Sequence, residues 1–79
     1  MTKSQINCFL AVVQELSFTK AANILYISQP AISKSVSTLE EELGFKLFER
    51  RDNILHLTEA GRRLYADALS EMILSIEET

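Results

Sequence analysis

Cysteine, proline, glycine and tryptophan are nearly missing from this chain: one Cys, one Pro, two Gly and no Trp in 79 residues. With a single thiol, Cys8 has no internal disulfide partner, and no ligand-spaced neighbour accompanies it. It reads as a small packing or surface residue of a helix. His56 has no second histidine with which to share a metal, and neither a metal nor a cofactor is expected. So little Gly and Pro argues against a loop-rich chain and for a largely helical one. The apolar runs fall far short of the ~20 residues a membrane span needs, and no basic-then-apolar leader opens the chain. A cytoplasmic protein with no membrane partner is expected. There is one His, one Cys unaccompanied by a base, no Gly-rich phosphate loop and too little bulk for a pocket, so an enzyme is not expected.

What is present is enough apolar residue, 47%, for one domain near the size at which a single core is marginal. The net charge of −3 first argues against a polyanionic partner. Its distribution weakens that objection. Residues 1–66 hold all eight Lys and Arg against seven acids, while residues 67–79 hold four acids and no Lys or Arg. The acidity therefore lies in the tail and in Glu40-Glu41-Glu42.

The chain is organised around Ile27 to Leu39. Ser28 can cap a helix and Pro30 lies in its first turn, where a missing N–H matters little. Ile32, Val36, Leu39 and Leu43 then recur on one helical face. The other face carries Gln29, Ser33, Lys34 and Ser37, which are short or planar hydrogen-bonding groups with one cation. That segment alone admits two readings: a Ser-rich face turned to solvent, or a recognition helix in a DNA major groove.

Before it, Ser4 is a candidate N-cap for a helix over about 5–16, with Ile6, Phe9, Leu10, Val13 and Leu16 at helical spacing. Thr19 is a candidate N-cap for a short helix through Leu25, in which Ala21 and Ala22 allow close helix contact. Two short helices around a tight link form a helix-turn-helix. Gly44 should end the third helix, leaving the three glutamates as a solvated far end. Leu47-Phe48 and Ile54 to Leu57 then flank a polar stretch whose Asp52-Asn53 is a turn signal, so a small β-hairpin is expected. As a wing, that hairpin makes Arg50 and Arg51 natural phosphate contacts. Thr58 should cap a last helix from Glu59, with Leu64, Ala68, Met72 and Ile76 in one row and Tyr65, Leu69 and Ile73 in the next. About twenty helical residues are roughly 30 Å long, more than so small a core covers. The remaining stripe reads as a dimerisation surface, and its stop in mid-pattern suggests a piece of a longer protein.

Five blocks in order resemble the N-terminal domain of LysR-type transcriptional regulators. They are Ser17-Phe18-Thr19-Lys20-Ala21-Ala22, Ile27-Ser28-Gln29-Pro30-Ala31-Ile32-Ser33-Lys34, Leu39-Glu40-Glu41-Glu42-Leu43-Gly44, Leu47-Phe48-Glu49-Arg50 and Leu57-Thr58-Glu59-Ala60-Gly61. The resemblance implies a mainly α fold, a winged helix-turn-helix with a three-helix core and two-stranded wing over 1–58. A linker helix over 59–79 would follow, truncated before an effector-binding domain. It implies double-stranded DNA as partner, with a homodimer through the linker helix and a tetramer only in the full-length protein. A small-molecule effector would act only through the missing domain. By motif match, Gln29, Pro30, Ser33, Lys34 and Ser37 would reach bases in the major groove. Ser17, Thr19, Ser28 and Arg50, with Arg51 in support, would reach phosphates.

The departures are specific. Many members carry Arg where this chain has Ser37 and Thr38, and basic residues at the wing tip where it has Asn53 and Ile54. His56 sits where Arg is frequent, and Tyr26 occupies a turn position that is often Gly. Weaker non-specific attraction to DNA is expected. A helical protein-interaction module using the apolar face of the last helix is the alternative reading.

Overall fold

A computed structural model of the chain describes the backbone over residues 1–77 and side chains over residues 1–71. Its order is α1 (Lys3–Glu15), α2 (Phe18–Leu25), α3 (Gln29–Leu43), β1 (Phe48–Arg51), β2 (Ile54–Leu57) and α4 (Glu59–Glu77). This is the mainly helical winged helix-turn-helix that the sequence led us to expect. Among the described residues no helix is long and apolar enough to cross a membrane.

The first helix begins two residues before the expected start, because Thr2 and not Ser4 caps it. Thr2 Oγ1 accepts from Gln5 N–H at 3.1 Å, and Gln5 Oε1 accepts from Thr2 N–H at 2.7 Å. This reciprocal capping box is written in Thr2-Lys3-Ser4-Gln5, a local signal that apolar periodicity does not contain. Phe9 and Val12 of α1, Ile32 and Leu39 of α3, and Leu47 are fully buried. Each contributes about 1.5–3 kcal/mol by leaving water. Cys8 belongs to this core as a buried free thiol.

The second helix also starts early. Ser17, not Thr19, is its N-cap, with extended backbone (φ −159°) and Oγ accepting from Lys20 N–H at 3.1 Å. Thr19 is thereby an exposed residue inside the first turn of α2. Ala21 and Ala22 are buried, which brings α2 close to its neighbours α1 and α3. Tyr26 ends α2 in the left-handed conformation (φ 58°), and Ile27 N–H donates to Ala22 O at 3.1 Å. That geometry turns the chain sharply enough for Ser28 to start α3, its Oγ accepting from Ala31 N–H at 3.2 Å. Gly44 closes α3 at φ 82°, as expected.

The wing pairs antiparallel in the register Phe48↔Leu57, Glu49↔His56, Arg50↔Leu55 and Arg51↔Ile54. Asp52 and Asn53 both have positive φ (54° and 63°), the condition for a two-residue hairpin turn that follows strand twist. Phe48 anchors the hairpin on the helices, with ring centroids 5.6 Å from Phe9 and 5.8 Å from Phe18. Leu47, Phe48, Leu55 and Leu57 turn their apolar side chains back to the helical core. Phe45 and Ile54 remain exposed.

Thr58 caps α4 through an Oγ1 that accepts from Gly61 N–H at 3.0 Å. The helix packs against α1 and β2. The three glutamates at the end of α3 are not a uniformly solvated group. Glu40 binds the start of the wing (below), and Glu42 holds the N-terminal ammonium at 3.0 Å and Gln5 Nε2 at 3.3 Å. Those two partners, the ammonium first, keep the Glu42 carboxyl below the usual carboxylate range. Glu41 is exposed and makes no such contact among the described residues.

Candidate nucleic-acid interface

The α3 face opposite the buried Ile32, Val36 and Leu39 presents the polar residues singled out in the sequence. Gln29, Pro30, Lys34 and Ser37 are exposed and Ser33 is half-buried. Gln29 Nε2 donates to Ser33 Oγ at 3.1 Å, one turn along the helix. Thr38 does not face outward with the same freedom, since its hydroxyl donates back to Lys34 O at 2.9 Å. Pro30 stands in the first turn of α3, where its ring fixes the backbone that carries Gln29.

Ser17 and Ser28 both sit at helix N-termini, where free backbone N–H groups and the helix dipole favour an anion. Each side-chain oxygen is already an acceptor in its cap, so its hydroxyl proton is the group left to donate. Thr19 and Ser28 are exposed and Ser17 half-buried.

The two wing arginines part company. Strand side chains alternate, so Arg50 shares a face with buried Phe48 and, across the ladder, with buried Leu55. It lines a cleft of about 390 Å³ between the wing and α3, together with Phe18, Ser33 and Ser37. Arg51 lies on the other face beside Glu49, Nε to Oε1 at 3.4 Å. Among the described residues Arg50 forms no ion pair. Of the predicted contact residues, Ser33, Ser37 and Arg50 thus line one cleft, Gln29, Pro30, Lys34, Ser17, Thr19 and Ser28 lie outside its lining, and Arg51 is on the other face of the wing, paired with Glu49.

On α4, Leu64 and Tyr65 pack against the chain's own core, and Ala68 is buried. Leu69 is 37% exposed. Met72, Ile73 and Ile76, the rest of the expected dimerisation stripe, lie outside the described side chains. An apolar groove runs beside Leu64 and Ala68, bounded by Ile6 and Leu10 of α1.

Sequence reasoning missed Glu40. Its side chain is only 11% exposed, and Oε2 accepts from Leu47 N–H at 2.7 Å and Phe48 N–H at 3.5 Å. No local motif announces a carboxylate that reaches across a glycine turn to backbone seven residues on. Gly61 was missed too, and its role is close approach: a Cβ there would overlap the Leu47 carbonyl oxygen and come within 2.7 Å of Leu57 Cδ2.

The sequence pattern described as "Bacterial regulatory helix-turn-helix protein, lysR family" matches residues 4–62. The chain belongs to the LysR family. It is 43% identical over 76 residues to the RuBisCO operon transcriptional regulator of Allochromatium vinosum, spanning 94% of this chain and 25% of that relative. It is 48% identical over 67 residues to the HTH-type transcriptional regulator BudR of Klebsiella aerogenes, spanning 85% of this chain and 47% of that relative. This LysR-family chain thus spans between a quarter and about half the length of those relatives. Among solved structures, a LysR-family regulator from Eggerthella lenta superposes with a TM-score of 0.81 at 41% identity, over 89% of this chain and 99% of the other. The BenM DNA-binding domain in complex with the catB site 1 DNA superposes at 0.86 and 38% identity, over 99% of this chain and 86% of the other. The CbnR DNA-binding domain bound to DNA gives 0.86 and 33%, over 99% and 90%.

Proposed function

We propose that this chain is the sequence-specific, double-stranded-DNA-binding part of a LysR-family transcriptional regulator, and that it acts by binding and not by catalysis. The observation that carries this is the cleft at which Ser33 and Ser37 of α3 meet Arg50 of the wing, beside exposed Gln29 and Lys34. The similar BenM and CbnR domains are DNA complexes, which supports the same use here. In this reading α3 enters the major groove. Gln29 offers an amide that suits adenine N6 and N7, while Lys34 donates to guanine or to a phosphate. Ser17, Thr19, Ser28 and Arg50 hold the backbone. Pro30 and Ser37 line the groove without strong hydrogen-bond demands of their own, as apolar and adaptable contacts.

The test is recovery of bound duplexes from a random-sequence pool, followed by titration at several salt concentrations. The expected result is a recurring half-site with affinity that falls as salt rises. Failure to shift any duplex at low salt contradicts the proposal.

The chain works as a homodimer through α4. Leu69, exposed on a helix that already covers the core with Leu64, Tyr65 and Ala68, supports this, as does the apolar groove that Leu64 and Ala68 line with Ile6 and Leu10. Two half-sites one helical turn or a multiple apart would then be read together. Light scattering should give a dimer mass that Leu69→Glu reduces to a monomer. A monomer at all concentrations for the unaltered chain removes this part. Tetramers and response to a small-molecule effector would belong to the longer protein.

A further inference from the structure

Ser33, Ser37 and Glu40 stand at helical spacing on one side of α3, and all three line the cleft that also holds Arg50. Glu40 has both carboxylate oxygens engaged. Oε2 takes the N–H groups of Leu47 and Phe48, and Oε1 lies 3.9 Å from Lys46 Nζ. Leu47 is fully buried, so its N–H has no access to water as a replacement partner. The other side of the same backbone is also held. Leu47 O accepts from Thr58 N–H at 3.0 Å, Lys46 O accepts from Thr58 Oγ1 at 2.6 Å, and Gly61 lies against the Leu47 carbonyl. Residues 46–48 are therefore fixed between α3 and α4 just where β1 begins. Arg50 follows two residues later on the face that meets the cleft.

Resting on the DNA-binding reading above, we propose that Glu40 is a positioning residue for DNA binding. Its carboxylate fixes the root of the wing on α3 and so sets where the Arg50 guanidinium meets a phosphate. Glu40 itself touches no DNA. Its negative charge beside the interface would by itself weaken binding, so the chain keeps it for the two N–H groups it holds.

The experiment measures binding of the whole chain to a random-sequence duplex across a salt series, for the unaltered protein and for Glu40→Ala, Glu40→Gln, Glu40→Asp, Arg50→Ala and the Glu40→Ala/Arg50→Ala pair. Binding by the unaltered chain tests the underlying reading separately, since its absence overturns that reading whatever Glu40 does. Glu40→Ala is expected to weaken binding about five- to tenfold and to lower the salt slope by about 0.9, as losing one phosphate contact does. The double variant should be no weaker than either single one. Glu40→Gln keeps an acceptor for Leu47 N–H and sheds the charge, so it should bind as well as the unaltered chain or better. Affinity unchanged or raised in folded Glu40→Ala, or losses that multiply with Arg50→Ala, overturns the proposal. Should Glu40→Ala not fold, the comparison of Glu40→Asp with Glu40→Gln decides. Asp keeps the charge but is one methylene too short, so weak Asp with intact Gln supports the clasp and the reverse order overturns it. In the unaltered chain the Leu47 amide must exchange slowly with solvent deuterium, and loop-like exchange there overturns it as well.

Discussion

Gln29 and Ser33 are hydrogen-bonded to one another, Nε2 to Oγ at 3.1 Å, before either meets a partner. The bond ties the Gln29 amide to the next turn of α3, and its carbonyl oxygen and second N–H have no side-chain partner among the described residues. Those are the acceptor and donor that an adenine edge requires. Gln29→Ala should therefore lose about 1–3 kcal/mol on a duplex selected by the unaltered chain and almost nothing on random duplex. Ser33→Ala should lose less on the selected site, because the amide survives without its orienting partner. Competition titrations with the two duplexes measure both, and equal losses for Gln29→Ala on both would remove it as a base reader.

Arg50 and Arg51 are adjacent in sequence but sit on opposite faces of the wing. Arg50→Ala should weaken binding to every duplex alike and flatten the salt dependence by about one phosphate contact. Arg51→Ala should change binding far less, since Arg51 is exposed and paired with Glu49. Parallel salt series on the two variants check the difference. A larger effect from Arg51 would place the wing the other way round on DNA.

Gly61 separates two opposite expectations for Gly61→Ala. Helix propensity alone favours Ala within α4 by about 1 kcal/mol. The structure gives the other sign, because the added Cβ would overlap backbone at Leu47, which cannot swing aside as a side chain could. Net destabilisation of about 1–3 kcal/mol is expected from the overpacking. Urea unfolding with an unchanged m-value measures it.

Tyr26 is 94% exposed and holds a left-handed backbone at φ 58°. Its ring contributes little burial to set against that conformation. Tyr26→Gly should stabilise the chain by about 0.5–1 kcal/mol despite the extra freedom of the unfolded state. Tyr26→Val should destabilise it, because a β-branched residue is least tolerated there. Thermal melts of the three proteins rank them.

The order of elements was legible in the sequence because each is specified locally. Periodic apolar residues mark α1 and α3, Ser28 and Thr58 cap their helices, Gly44 stops one and Asp52-Asn53 turns the hairpin. The polar face of α3 was legible for the same reason: residues at helical spacing share a face wherever the helix goes. Even the early starts of α1 and α2 were written locally, in a capping box at Thr2 and a cap at Ser17 that periodicity alone does not weigh. What the sequence could not determine was which groups meet across the fold. That Arg50 faces the cleft while Arg51 pairs with Glu49 depends on which hairpin face Phe48 and Leu55 bury. That Glu40 leaves the run of glutamates to hold Leu47 and Phe48 depends on the angle at which the chain leaves Gly44. That Gly61 is needed for space depends on how closely α4 approaches Leu47. Backbone conformation and caps are decided within a few residues, whereas these contacts exist only once distant segments have packed.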